Sequence, residues 1–544
     1  MEKAQEVVFC FPTTDHPFYH LKVAFALGGE IRYQIKKTTV NGQRVRDFFA
    51  YNNFILEKDN IIWSGGLNEV VARWDWKAGE EAEVELTGEG AEAKDLWTLK
   101  ARAQAPQYGG YWNSNWKHYA SIVCTETAGF DRADEPVHCS LALYSDRIRN
   151  PEAELRIVAV DPLSGLHREV ESQVFEVNRY AAEGVKIGEE YQPTTTFQAA
   201  FYADIPAYTS RVYLAFYGNP NAERPGYPSR LTVQGEGLGL AVENPHYKTL
   251  LARTSGSIDE IHMKLGVNRA FYHHLETNGA LHWNPGIYSP PRAWLHASDW
   301  NPPESYSWMS GPVFAATRRC GPLDGYPEFI VSITYRFYER TPWIHMSSRV
   351  EVKKDVPVKA LRNGEVVLDR KLVEEFAWRK PGPGGAVGTM VITDGPRHPR
   401  HAKVLPADTP WACLFNREHG CGLGLVTAKL AESRVDGGLV KTYGRYSYLQ
   451  WGPWVYYCRP LVYTFASNNS ARLVVVPAGN SYYEEMAFVP IRVRPVGEDF
   501  GELELLYQKL SHPLDVQVVE DTDPRAPQGW VAPVLVQEFE EMAD

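Results

Sequence analysis

The chain has 544 residues, 44% of them hydrophobic, and a formal net charge of −11. That length exceeds one ordinary core and implies two or three domains, while the hydrophobic share excludes wholesale disorder. The acidic balance argues against a nucleic-acid partner, which would require a basic surface, and no apolar run reaches membrane-spanning length.

The first residues, Met1 to Cys10, lack the basic start, apolar stretch and small-residue cleavage site of a signal peptide. Seven cysteines (Cys10, Cys124, Cys139, Cys320, Cys413, Cys421, Cys458) are scattered without a CxxC pair. An odd, unpatterned set fits free thiols in a reducing compartment. The expectation is a cytoplasmic protein, with a trimmed leader left open. Sixteen Trp and thirty Tyr stand out, many beside Gly, Pro, Asn or His. Such rings combine a flat apolar face with a polar handle and suit half-buried binding surfaces.

Short runs rich in Val, Ile, Tyr, Phe and Thr recur from the N-terminus, broken every eight to fifteen residues by Gly, Pro, Asn or Asp. Val7–Pro12, His20–Leu27, Glu81–Leu86, Ser121–Thr125, Ser140–Tyr144 and Arg211–Tyr217 are examples. This rhythm predicts antiparallel β-sandwiches. A Gln/Ala/Pro/Gly stretch near Ala101–Gly110 and a Pro-rich linker at Gly218–Arg230 divide the chain. The predicted organisation is a β-sandwich over 1–105, a second over 106–228, and a large β domain over 229–544. Helix is expected only at Gly501–Leu510 and as an option at Lys371–Trp378.

Within the last domain, a dense segment from Asn278 to Pro303 carries His282, Trp283, Arg292, Trp294, His296, Asp299 and Trp300. It is too rich in Pro for an inner strand and reads as a long ordered loop, the kind that carries function. His282 is the candidate for proton transfer, with Trp283 as a stacking ring and Arg292, His296 and Trp300 as substrate contacts. The alternative is that the Trp residues plug the end of a sandwich. The His spacing matches no metal-ligand pattern.

Next comes a hairpin, Phe329–Tyr338 and Trp343–Glu351, joined by Glu339-Arg-Thr-Pro342. Pairing about that loop sets Tyr338 opposite Trp343, Arg336 opposite His345, Thr334 opposite Ser347 and Ser332 opposite Arg349. All eight then share one face. Phe329, Val331, Ile333, Tyr335, Phe337, Ile344, Met346 and Val350 share the other, a core face. The polar face offers rings to stack on a sugar, Arg336 and Arg349 to fork onto a carboxylate, and His345 and Tyr338 to move protons. An ordinary exposed face is the alternative. Thr442–Arg459 adds Arg445 and Tyr446 as groove residues, and Arg397–His401 forms a basic turn.

No phosphate-cradling Gly loop, HExxH or GxSxG motif occurs. No motif calls for a cofactor or metal, and a divalent metal stays an open alternative. Paired carboxylates for glycoside hydrolysis need not be close in sequence, so they also stay open.

The stretch from Gly235 to Val352 resembles the galactose-mutarotase-like supersandwich domains of polysaccharide lyases. It carries Gly-Glu-Gly-Leu-Gly-Leu, Thr-Asn-Gly-Ala-Leu-His-Trp-Asn-Pro, Ser-Asp-Trp-Asn-Pro-Pro and Ile-Thr-Tyr-Arg-Phe-Tyr. The rhamnogalacturonan exolyase-like proteins are the nearest group. The helical toroid domain usual there has no counterpart segment here. The resemblance implies an all-β chain ending in a large antiparallel supersandwich. It also implies a lyase cleaving uronic-acid oligosaccharide by β-elimination. Arg336 would hold the carboxylate, His345 or His282 act as base, Tyr338 act as acid, and Trp343 and Trp283 stack. A hydrolase or epimerase on the same scaffold, or a non-catalytic sugar-binding protein, is the alternative. The expected partner is an oligosaccharide, with no nucleic acid and no membrane; a homo-oligomer is open.

Overall fold

The structure is a computed structural model that describes side chains over most of residues 112–518 and strand backbones in the flanking segments 7–104 and 533–542. The described residues leave out 162–165, 181–192, 265–269, 273–283, 393–401, 441–445, 464–471 and 521–532, besides shorter stretches. They are nearly all β, in large antiparallel sheets. The chain divides into two compact units, one of residues 1–227 with 512–544 and one of residues 228–511. The segment expected as 229–544 is thus shared, its last residues belonging to the first unit.

In the first unit an 11-stranded sheet holds the predicted strands as Val7–Thr13, His16–Leu27 and Glu81–Gly90. The terminal strand Pro533–Met542 is inserted between Val7–Thr13 and Leu96–Gln104. A five-stranded and a three-stranded sheet follow in the same unit. Their facing residues Ala120, Ile122 and Cys124, and Phe197, Ala199 and Phe201, form a core by simple period-two alternation.

The second unit is built on a ten-stranded and a six-stranded antiparallel sheet, with a five-stranded sheet over 232–272. The predicted hairpin is in the larger sheet, with strands Tyr326–Tyr338 and Ile344–Val352. Its register sets Arg336 opposite His345, Thr334 opposite Ser347 and Ser332 opposite Arg349, as the alternation requires. Phe329, Val331, Ile333, Tyr335 and Phe337 are fully buried, as are Ile344, Met346 and Val350. They form one core with Leu361, Val366 and Leu368 of the strand Ala360–Asp369 and with Leu449, Val455 and Tyr457.

The helix Gly501–Ser511 forms where predicted and packs Leu503 and Leu506 against Trp411, Cys413 and Phe415. The optional helix at Lys371–Trp378 does not form. A short 3₁₀ turn, Arg370–Leu372, leads into the strand Glu375–Arg379, which is paired on both sides. Alternating Phe376 and Trp378, stacked at 5.5 Å, fit a strand and not a helix face.

Candidate functional site

Two faces of the second unit collect chemistry. The first is the hairpin face. There an Arg336 Nη1–H donates to His345 Nδ1 at 3.4 Å, and His345 Nε2 lies 3.9 Å from Glu485 Oε2. The Tyr483 hydroxyl donates to Glu485. The neighbouring strand Ser481–Arg492 supplies both new members, because Glu485 pairs with Ser347 and Tyr483 with Arg349. Burial alone would push the Glu485 carboxyl up. Hydrogen bonds from His345 and Tyr483, with the charges of His345 and Lys429, outweigh burial and bring it down to about 2. Burial and the bond to Glu485 push the Tyr483 phenol up, so it stays neutral.

A depressed carboxyl pKa contributes stability that is present above its ordinary value of 4.5 and lost as pH falls toward 2. Glu485→Gln is therefore expected to lose ~1–3 kcal/mol at pH 7. Unfolding midpoints of mutant and wild type should converge on acidification below about pH 4.5.

The other residues named from the hairpin are engaged differently. The ladder ends at Phe337–Ile344, and Tyr338 is buried against Phe314 with ring centroids 5.9 Å apart. Trp343 packs against the cluster beneath the helix. That cluster includes Ala487, the cross-strand partner of His345, so the half-buried Trp343 borders the polar face while Tyr338 is buried. Arg349 is exposed and paired with Glu351 at 2.9 Å.

The second face belongs to the six-stranded sheet, on the side away from the shared core. Its middle strand, Ala360–Asp369, is buried along nearly its whole length yet carries Arg362, Asn363 and Glu365. Two register shifts flank Arg362. Bulges re-aim side chains and gather near active sites. Here they turn Arg362 and Glu365 to one face, where Arg362 Nη1 bonds Glu365 Oε2. Arg362 also donates to the Tyr448 hydroxyl at 3.1 Å and lies 4.6 Å over the Trp294 ring.

His296 completes the cluster. Its Nε2 lies 3.0 Å from Glu365 Oε1 and 3.1 Å from Trp294 Nε1, and both His296 and Glu365 side chains are fully buried. An indole N–H can only donate. His296 Nε2 therefore either accepts from Trp294 or, when protonated, donates to Glu365; one nitrogen cannot do both. On the other side Asp299, 3.9 Å from His296 Nδ1, accepts from the His296 backbone at 2.7 Å. Burial raises the Asp299 carboxyl, against the lowering effect of that bond.

Half-buried rings extend this face. Tyr288 stacks on Trp294 at 5.3 Å and Trp294 on His296 at 5.9 Å. Tyr446 lies 6.1 Å from Tyr448, and Trp454 lies 5.9 Å from Tyr456. Cys458 sits opposite both Glu365 and Tyr448, and burial pushes its thiol up to about 12, which leaves it neutral.

Gly286 makes room for His296. The two are cross-strand partners, and a Cβ at Gly286 would come within 2.4 Å of the imidazole. Gly286→Ala is expected to displace that ring at a cost of ~1–3 kcal/mol. The checks are the unfolding midpoint and the His296 imidazole signals in NMR.

Of the residues named from the sequence, the structure brings Arg336 and His345 together on one face and puts His296 and Tyr446 on the other. Arg292 is engaged in the loop: it bonds Glu328 at 3.0 Å and lies 4.2 Å over the Tyr326 ring. Trp300 is in the core, its Nε1–H donating to the Pro322 carbonyl at 2.7 Å. A core ring cannot stack on a sugar, so it joins the plug that the sequence offered as the alternative. His282, Trp283, Arg445 and the basic turn Arg397–His401 lie outside the described residues.

Sequence reasoning passed over Arg362, Glu365, Glu485 and Tyr483, and read Trp294 only as part of the loop and its plug. The available signal was Leu-Arg-Asn-Gly-Glu at 361–365, two charges and an Asn interrupting an apolar strand. Burying such groups is costly unless each finds a partner. Among the described residues no cluster of His, Cys, Asp and Glu is arranged to hold a metal, and no helix is long and apolar enough to cross a membrane.

No protein-family model matches the chain, and no curated protein does. Solved structures are similar to it. A protein in glycosyl hydrolase family 38 from Enterococcus faecalis matches 76% of this chain at 10% identity and TM-score 0.45. This chain spans 49% of that protein's length. A galactose mutarotase-like protein from Lactobacillus casei matches 46% of this chain and 99% of its own, at 12% identity and TM-score 0.30. A putative aldose 1-epimerase from Escherichia coli matches 48% of this chain and 100% of its own, at 9% identity and TM-score 0.27.

Proposed function

We propose that this chain is a carbohydrate-active enzyme that exchanges protons on a sugar ring, as a sugar epimerase does, on the aromatic face of the six-stranded sheet. The observation that carries this reading is the contact of His296 Nε2 with Glu365 Oε1 at 3.0 Å, beside rings suited to stacking. Anomer exchange needs one proton taken from the anomeric hydroxyl and one given to the ring oxygen. Glu365 is the acceptor and protonated His296 the donor; the ring C–O bond breaks, the aldehyde turns, and the two transfers reverse on closure. Arg362 holds the carboxylate in place, and Tyr448 holds Arg362. Opening of the His296–Glu365 contact admits the substrate.

Burial of both groups favours this over hydrolysis, which must also place a water. The test is to follow anomer exchange of freshly dissolved α-hexoses and α-uronic acids by NMR. Acceleration lost in Glu365→Gln supports the reading. New reducing ends from oligosaccharides, without anomer exchange, would replace it with the hydrolase.

A second reading keeps the lyase on the hairpin face, favoured by Arg336 beside His345 on a partly exposed surface. Arg336 would neutralise a uronate and His345 take the proton at C5. It predicts unsaturated product absorbing in the ultraviolet, lost in Arg336→Ala.

A further inference from the structure

A cleft of about 730 Å³ opens in the second unit away from both faces, lined by Gly235–Gly239, Arg253, Thr254, Asn301, Pro302 and Tyr306. At its mouth runs Ser305–Ser310, the edge strand of the ten-stranded sheet. Tyr306 and Trp308 on this strand are 47% and 45% exposed, large rings that the core does not use. They are two residues apart and so project from one face, about 7 Å apart along the strand. Their cross-strand partners are Arg319 and Thr317, both buried, so the two rings continue the core-side face past the point where the core ends.

The opposite wall is rich in glycine, with Gly235, Gly237 and Gly239 alternating with Glu236 and Leu238. Gly235 has φ +104°, and a Cβ there would come within 2.3 Å of the Gly239 carbonyl oxygen. A Cβ on Gly239 would meet Arg253 Cγ at 2.6 Å. Gly235 and Gly239 can therefore carry no side chain, which keeps this stretch of the wall open. A single exposed ring needs no explanation, but two on one face beside a ligand-sized, polar-lined cleft do.

We infer that this cleft is a second carbohydrate-binding site, for a neutral oligosaccharide, with Tyr306 and Trp308 stacking on sugar rings and Arg253 and Asn301 donating to hydroxyls. Glu236 in the same wall balances Arg253, which is why the ligand is neutral. Ser310 adds a hydroxyl on the face of the two rings, whereas Ser305 and Ser307 project from the other face. The inference shares no residue with the proton-exchange site and stands without it.

The experiment is calorimetric titration of the full chain with cellohexaose, xylohexaose, mannohexaose and maltohexaose. At least one is expected to bind, weakened tenfold or more in Tyr306→Ala and in Trp308→Ala and largely kept in Trp308→Phe. Because both rings are exposed, unfolding midpoints and any monosaccharide turnover should stay at wild-type values. Binding by none of the four, or binding indifferent to both Ala substitutions, overturns the inference. So does concentration-dependent self-association lost in the same variants, which would make the edge strand a contact between copies.

Discussion

Glu365→Gln is expected to slow anomer exchange by about 100- to 10,000-fold, the range that one positioned acid–base group supplies. Gln keeps the shape of the side chain and loses only the ability to take the proton. Its effect on stability must be separated from this, because Glu365 is the buried partner of Arg362. Removing one member of such a pair commonly costs ~3–5 kcal/mol by leaving a charge uncompensated. Turnover should therefore be measured well below the unfolding midpoint of the variant. Tyr448→Phe is the companion: it removes a bond to Arg362 while leaving Glu365 able to take a proton. It is expected to lower turnover far less than Glu365→Gln. Equal activity of Glu365→Gln and wild type would remove the six-stranded face from consideration as the reacting site.

The fold was legible because it depends on alternation, which a sequence displays directly. From Phe329 to Phe337 every second residue is apolar, and each of those is fully buried. Such a pattern, with one loop of fixed length, leaves a single register, and Arg336 comes to face His345. The site was less legible for two reasons. Glu485 and Tyr483 reach the hairpin from a strand more than 130 positions downstream, and only sheet order brings them there. Arg362 and Glu365 lie in a strand whose bulges break the alternation, so period-two reasoning cannot assign their face. The His296 loop was recognised for its composition. Which of its residues serve the site and which fill the core depends on packing: Trp294 lies against His296, whereas Trp300 is sealed beneath Pro322.

A second buried pair tests whether burial of charge by itself marks the reacting site. Arg459 and Glu484 are both fully buried and bonded to each other, but they face the shared core between the two sheets. Glu484 Oε2 accepts from Asn363 Nδ2 at 2.7 Å, and Arg459 Nη2 donates to Thr427 Oγ1 at 3.1 Å. This network links the strands Ala360–Asp369, Trp454–Tyr463, Ser481–Arg492 and Cys421–Ser433. Glu484→Ala is expected to destabilise the protein by ~3–5 kcal/mol, because Arg459 is left as an unpaired buried charge. The double substitution Arg459→Met and Glu484→Met should recover most of that loss, since well-packed apolar groups can replace a buried pair at little cost. It would still fall short of wild type by ~1–3 kcal/mol, as Asn363 loses its acceptor. Urea unfolding of the two variants measures both numbers. Where they are folded, both should keep turnover near wild type, in contrast to Glu365→Gln. A double variant that is stable but inactive would instead place the core network within the reacting site.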